Sequence, residues 1–211
     1  MRISRLALPF SLVMALVGGY LVVLAKAPAQ PEFVSPTRHE ATPAMERLVA
    51  SLSKQVARLD QAKEGDGTLF SVSDALRKGP VFVYFVKHDC PCSVDAEGLF
   101  HRLYAKWKGS VSFVAVIDTT AAAAQEWKTN YEMPYPAIPD PDEKIIHSFH
   151  ATNATFSALV NPDGRIQRMW PGYSRGYLLD MNASMANLTG KPVGVLDTAY
   201  APLAKTSGCA F

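Results

Sequence analysis

The stretch that decides the fold reads Val81-Phe82-Val83-Tyr84-Phe85-Val86-Lys87-His88-Asp89-Cys90-Pro91-Cys92-Ser93. Its first six residues are an unbroken apolar and aromatic run, the composition of a strand buried on both faces. Lys87, His88 and Asp89 break that run, and Cys90 falls between the strand end and a helix predicted over 93–108. Pro91 suits the first turn of such a helix, where its missing N–H is no loss. There, unpaired backbone N–H groups point outward and favour the thiolate, the form in which cysteine reacts. Cys90 is therefore the candidate nucleophile. Lys87 and His88 would add positive charge beside it, and Asp89 would oppose them.

Working outward, strands and helices alternate. Val111 to Ile117 is a second buried strand, followed by an alanine-rich helix near 121–130. Pro134, Pro136, Pro139 and Pro141 break the chain before a short helix leading to His150. Asp140, Asp142 and Glu143 stand at its start, where carboxylates favour the helix dipole. Segments 156–160 and 165–170 flank Asn161-Pro162-Asp163-Gly164, a turn sequence suited to joining antiparallel strands. A last helix near 175–189 ends at Gly190. Val94, Leu99, Leu103 and Trp107 are the candidate inward positions of the helix after Cys90, and Trp107, Trp127 and Trp170 read as core. The order predicts an α/β fold, a central mixed sheet flanked by helices.

At the N-terminus, Arg2 and Arg5 precede an uncharged stretch from Leu6 to Ala25. About 20 residues at ~1.5 Å each span the hydrocarbon core of a bilayer. Positive charge ahead of the segment holds the N-terminus in the cytoplasm and the rest of the chain outside. The alternative is a signal peptide cleaved near Ala25-Lys26-Ala27 or Ala27-Pro28-Ala29. Residues 1–27 are thus an anchor or a signal peptide. Either places the domain in an oxidising compartment, the periplasmic side of a bacterial-type inner membrane.

Residues 28–66 read as a proline-containing linker and an amphipathic helix. Its apolar face is Met45, Leu48, Leu52, Val56 and Leu59. The break at Glu64-Gly65-Asp66-Gly67 opens a domain over 67–190. Residues 191–211 form a polar, flexible tail that carries Cys209 and can fold back onto the domain.

The 211 residues are 48% hydrophobic and 19% charged with a formal net charge of +2, a globular balance without the basic stripe of a nucleic-acid binder. Three cysteines are too few for a disulfide-built scaffold and too unevenly placed for a four-ligand zinc module. No cofactor is expected.

Four pieces in order carry a family resemblance: Lys78 to Phe85, His88 to Ser93, Ile138 to Asp142, and Leu159 to Ile166. Over roughly 67–190 the chain resembles the thioredoxin-like redoxins, the membrane-tethered thiol–disulfide proteins and their peroxiredoxin-related cousins. The resemblance implies a thioredoxin-like fold and thiol–disulfide oxidoreductase activity toward a protein or small-molecule partner. Two departures bear on the substrate-handling residues, Pro91 and Thr155. Reductase-type relatives carry Cys-x-x-Cys, but here Cys92 comes one residue early and Ser93 takes the usual place. Thr155 occupies the position where such proteins have a cis-proline facing the cysteines.

Two cysteines are candidates to resolve Cys90. Cys92 could close a bridge only by a local departure from helix, because side chains two apart point to different sides. Cys209 could reach it from the tail. Peroxidase activity ranks below exchange, because peroxidatic relatives carry Thr or Ser where this chain has Lys87. A further alternative is a copper or zinc site at His88, Cys90 and Cys92, with His147, His150 or Cys209 as fourth ligand. The last alternative is a binding module without turnover.

Overall fold

The computed structural model describes residues 38–59 and 62–211. The expected anchor or signal peptide at 6–25 lies outside the described residues. Among those described, no helix is long and apolar enough to cross a membrane.

The fold is thioredoxin-like. Its five-stranded sheet has the order β6 (Ala137–Pro139), β5 (Ser112–Ile117), β4 (Val81–Val86), β7 (Ser157–Val160), β8 (Ile166–Trp170). β4 runs parallel to β5 and β5 to β6, whereas β7 is antiparallel to both β4 and β8. Every residue of β4 is fully buried, as its apolar run requires. Alternation sends Phe82, Tyr84 and Val86 into one layer and Val81, Val83 and Phe85 into the other. The first layer is covered by α3 (Pro91–Trp107), α4 (Ala121–Asn130) and α6 (Arg175–Thr189). The second is covered by α1 (Pro43–Ser51), α2 (Val72–Lys78) and α5 (Lys144–Ser148). Burying each large apolar side chain stabilises by about 1.5–3 kcal/mol, so β4 is the energetic centre of the domain.

The turn after β7 forms as its chemistry predicts. Gly164 takes φ 80°, and its N–H donates to the Asn161 carbonyl at 2.9 Å. The three tryptophans are core, each with its indole N–H satisfied: Trp107 by Asn182, Trp127 by Glu97 and Trp170 by Asp180. At the start of α5, Asp140 accepts from the N–H groups of Ile145 and Ile146 at 2.9 Å each.

Three expectations need correction. The helix expected through Leu59 stops at Ser51, because the chain then docks beside the β7–β8 hairpin. Lys54, at φ 69°, and Ala57 donate to the carbonyls of Ile166 and Gly164 at 2.7 and 2.9 Å. Val94 points to solvent, since the inward face of α3 runs through Cys92, Ala96, Leu99, Phe100, Leu103 and Trp107.

The third correction concerns the expected flexibility of the tail, which does fold back onto the domain. It is strapped down along its length by groups that need partners. Side chains of α3 and α6 hold its carbonyls: Lys106 binds Val195 at 2.9 Å, Arg102 binds Ala199 at 2.6 Å, and Asn182 binds Gly194 at 3.2 Å. Further on, β9 (Thr206–Ser207) pairs antiparallel with β1 (His39–Glu40). Glu46 of α1 binds both Lys205 and the Tyr177 hydroxyl.

Candidate active site

The loop between β4 and α3 is held by four hydrogen bonds. Lys87 N–H donates to Ser93 Oγ at 3.1 Å, His88 N–H to Asp118 Oδ1 at 2.6 Å, and Cys90 N–H to the Lys87 carbonyl at 3.1 Å. Asp118 N–H in turn donates to the Val86 carbonyl at 3.2 Å. Ser93, standing where relatives carry the second cysteine, is therefore a loop anchor. Cys90 is the N-cap of α3, extended at φ −97° and ψ 119°, and its carbonyl accepts from Ser93 N–H at 2.9 Å. Pro91 follows as the first helical residue and is exposed.

Of the two candidate partners, Cys209 takes the bond. Cys90 and Cys209 form a disulfide with Cα atoms 5.9 Å apart and a sequence separation of 119 residues. The Cys209 N–H also points at Cys90 Sγ, 3.1 Å away. Cys92 is outside the disulfide, its thiol fully buried inside the first turn of α3. Regular helix at Cys92 turns its side chain inward and away from Cys90, as the two-residue spacing predicts. Beside Cys92 lies the Tyr173 hydroxyl, whose pKa is raised first by burial and then by Cys92 and Asp95.

The tail meets the domain through its backbone. Ala154 N–H donates to the Cys209 carbonyl at 2.8 Å, and Phe211 N–H to the Thr152 carbonyl at 3.1 Å. These make an antiparallel bridge centred on Asn153 and Ala210, and Asn153 Nδ2 reaches the Gly208 carbonyl at 3.0 Å. Thr155 is next in the chain. It is fully buried at φ 65°, and its N–H donates to the Phe85 carbonyl at 2.7 Å. Left-handed backbone costs a β-branched residue about 1–3 kcal/mol, and the tight packing around it holds it there. Thr155 thus sets the path of the backbone that grips the Cys209 segment. Among the described residues there is no cis peptide bond.

The polar side chains near Cys90 are paired. Lys87 Nζ lies 3.4 Å from Asp118, and His88 Nδ1 lies 3.1 Å from Asp89. Among the described residues, no group of three or more His, Cys, Asp or Glu is placed to hold a metal ion. His88, Cys90 and Cys92 are not so gathered, and His147 pairs with Glu143 at 3.1 Å.

Sequence reasoning missed Asp118, Ala154, Gly208 and the buried Glu97. Asp118 carried a usable signal, since it ends the strand parallel to β4 on the side where Cys90 emerges. Glu97 carried none, because an acid within a helix ordinarily faces water. Here it is only 3% exposed and accepts from Tyr84 Oη and Trp127 Nε1. Burial first, then the neighbouring Glu97, pushes the Tyr84 hydroxyl well above its ordinary range.

The fold has counterparts among solved structures. The sequence pattern described as the AhpC/TSA family matches residues 53–169. No curated protein matches the chain. An uncharacterised conserved protein from Geobacillus kaustophilus is similar at 18% identity and a TM-score of 0.60, covering 75% of this chain and 90% of that one. A putative thiol:disulfide interchange protein DsbE from Chlorobium tepidum is similar at 16% identity and a TM-score of 0.59, over 65% and 98%. The peroxidoxin BcpB from Mycobacterium tuberculosis is similar at 16% identity and a TM-score of 0.54, over 65% and 96%. These likenesses support the fold, and the match over more than half of the sequence places the chain in the AhpC/TSA family.

Proposed function

We propose that this protein is a thiol–disulfide oxidoreductase of the bacterial cell envelope, with Cys90 as nucleophile and Cys209 as its resolving partner. The observation that carries the reading is the Cys90–Cys209 disulfide seated at the N-terminus of α3. A thiolate released there is stabilised by the helix end, so it is a good leaving group and a good attacking group. In the reductive direction, a partner dithiol breaks the Cys90–Cys209 bond and leaves as a disulfide, transferring two electrons and leaving both cysteines as thiols. In the oxidative direction the same steps reverse. Cys92 sits outside this cycle as a buried thiol.

The envelope location rests on the uncharged segment 6–25 behind Arg2 and Arg5 and on the oxidising surroundings a lasting disulfide needs. The anchor reading has residues 1–27 hold residues 67–190 on the periplasmic face. Peroxidase activity ranks lower, because Lys87 stands where a hydroxyl would polarise the peroxide and is paired with Asp118.

The test is exchange with glutathione buffers across a range of potentials, quenched by alkylation and read by mass. The reading expects one two-electron transition of Cys90 and Cys209. Cys92→Ser keeps it, and Cys90→Ser or Cys209→Ser removes it. A transition lost in Cys92→Ser but kept in Cys209→Ser would refute it. Protease protection of the full chain in membrane vesicles checks the location.

A further inference from the structure

The segment that carries Cys209 is itself a peptide in a groove. It is extended, it pairs by backbone with both Thr152–Ala154 and His39–Glu40, and its cysteine is joined to Cys90. The groove is cut for a passing backbone. A Cβ on Gly172 would lie 1.7 Å from the Thr206 carbonyl oxygen, so only glycine leaves room for the chain above it. Tyr173 N–H donates to that same oxygen at 3.1 Å. A Cβ on Gly208 would lie 2.7 Å from both the Cβ and the carbonyl oxygen of Ala154. Gly208 has no positive φ, so what it supplies is space. Two residues beyond Cys209, Phe211 lines a cleft together with Leu48, His147, His150 and Thr152, with Lys87 Nζ 5.7 Å from its ring centroid.

We propose that this groove is a docking site for an extended partner segment of the pattern glycine–cysteine–any residue–apolar, and that the tail Thr206–Phe211 is its tethered competitor. The proposal rests on Cys90 being the nucleophile of thiol–disulfide exchange. The groove's specificity lies in Ala154, which excludes a side chain on the residue before the incoming cysteine. Its affinity lies in backbone hydrogen bonds that any extended chain can make. While the tail is seated, Ala154 N–H and Thr152 C=O are occupied, and a partner must displace it. Once the Cys90–Cys209 bond is reduced, only non-covalent contacts retain the tail, and the competition becomes open.

The probe is the hexapeptide Thr-Ser-Gly-Cys-Ala-Phe with its cysteine activated as a mixed disulfide with thionitrobenzoate. The Cys90 thiolate attacks the peptide sulfur. A Cys90–peptide disulfide forms, and thionitrobenzoate leaves as the coloured thiolate with the electron pair of the broken bond. The rate is measured on reduced protein of three kinds: Cys209→Ser, Cys209→Ser with Gly208→Ala, and a chain ending at Lys205. Mass spectrometry confirms the adduct on Cys90.

The expected result is a rate at least about tenfold higher when the tail is removed or displaced by Gly208→Ala than in Cys209→Ser alone. The expected preference for the glycine peptide over Thr-Ser-Ala-Cys-Ala-Phe is also at least about tenfold. The Gly208→Ala chain keeps the tail's length, so it answers the question even where the shortened chain does not fold. Equal rates with and without a seated tail, or equal rates for the two peptides, overturn the proposal. If Cys90 reacts with neither peptide nor with the free aromatic disulfide reagent, the exchange reading itself fails.

Discussion

Cys92 and Cys209 offer Cys90 two opposite kinds of partner. Cys92 is its neighbour in sequence, fixed in the first turn of α3 and fully buried. Cys209 is 119 residues away, part-exposed, and set in a tail without regular structure apart from a two-residue strand. The distant one takes the bond. Sequence proximity counts for little when the intervening backbone is helical, because helix geometry fixes where each side chain points. The tail has no such constraint of its own, and the domain supplies one by gripping its backbone.

The largest effect is expected at Cys90. Replacing it with serine removes the sulfur common to both possible bridges, and on the proposed function exchange should fall by at least about a thousandfold, measured as the rate of disulfide reduction in a model protein. Replacing Cys209 separates stability from chemistry. The bridge closes a loop of 119 residues, so Cys209→Ser should lower unfolding free energy relative to the oxidised protein by about 3–5 kcal/mol, read by denaturant titration. Cys92→Ser should leave the difference between oxidised and reduced protein intact.

Smaller changes sharpen the contrast by loosening the tail alone. Gly172→Ala places a Cβ into the Thr206 carbonyl and should cost about 1–3 kcal/mol, with faster hydrogen exchange at residues 206–211. Glu46→Gln should have the least effect, below about 1 kcal/mol, since the side chain is partly exposed. The Lys205 contact, and after it the Tyr177 hydroxyl, holds the Glu46 pKa below its ordinary value. Its contribution is therefore complete above the usual carboxylate range and is lost as pH falls through the lowered native value. Tail protection in the wild type should weaken over that acid window, and Glu46→Gln should flatten the dependence.

The two regions also differ in how much of them the sequence carries. The apolar run of β4, the break before Cys90, the proline after it and the turn at Asn161–Gly164 each express their structure locally, so the sheet and the placement of Cys90 at a helix start were legible. The early end of α1 was not. Val56 and Leu59 continue the helical spacing, yet the helix ends at Ser51 and the chain turns through Lys54 to join the hairpin, a long-range preference with no local mark. The tail was legible only as a cysteine of uncertain purpose. Its fastening relies on backbone groups, on the space left by Gly172 and Gly208, and on side chains of α3 and α6, none of which produces a periodic pattern. Ser93 was misleading in a different way, since its place suggests a lost cysteine and its hydroxyl holds the loop at Lys87.

The most direct test of the central claim is disulfide mapping of the protein isolated without reductant, with free thiols alkylated before proteolysis. The account predicts one cross-linked species joining the Cys90 and Cys209 peptides, with the alkyl label on Cys92. A Cys90–Cys92 bridge with the label on Cys209 would contradict it.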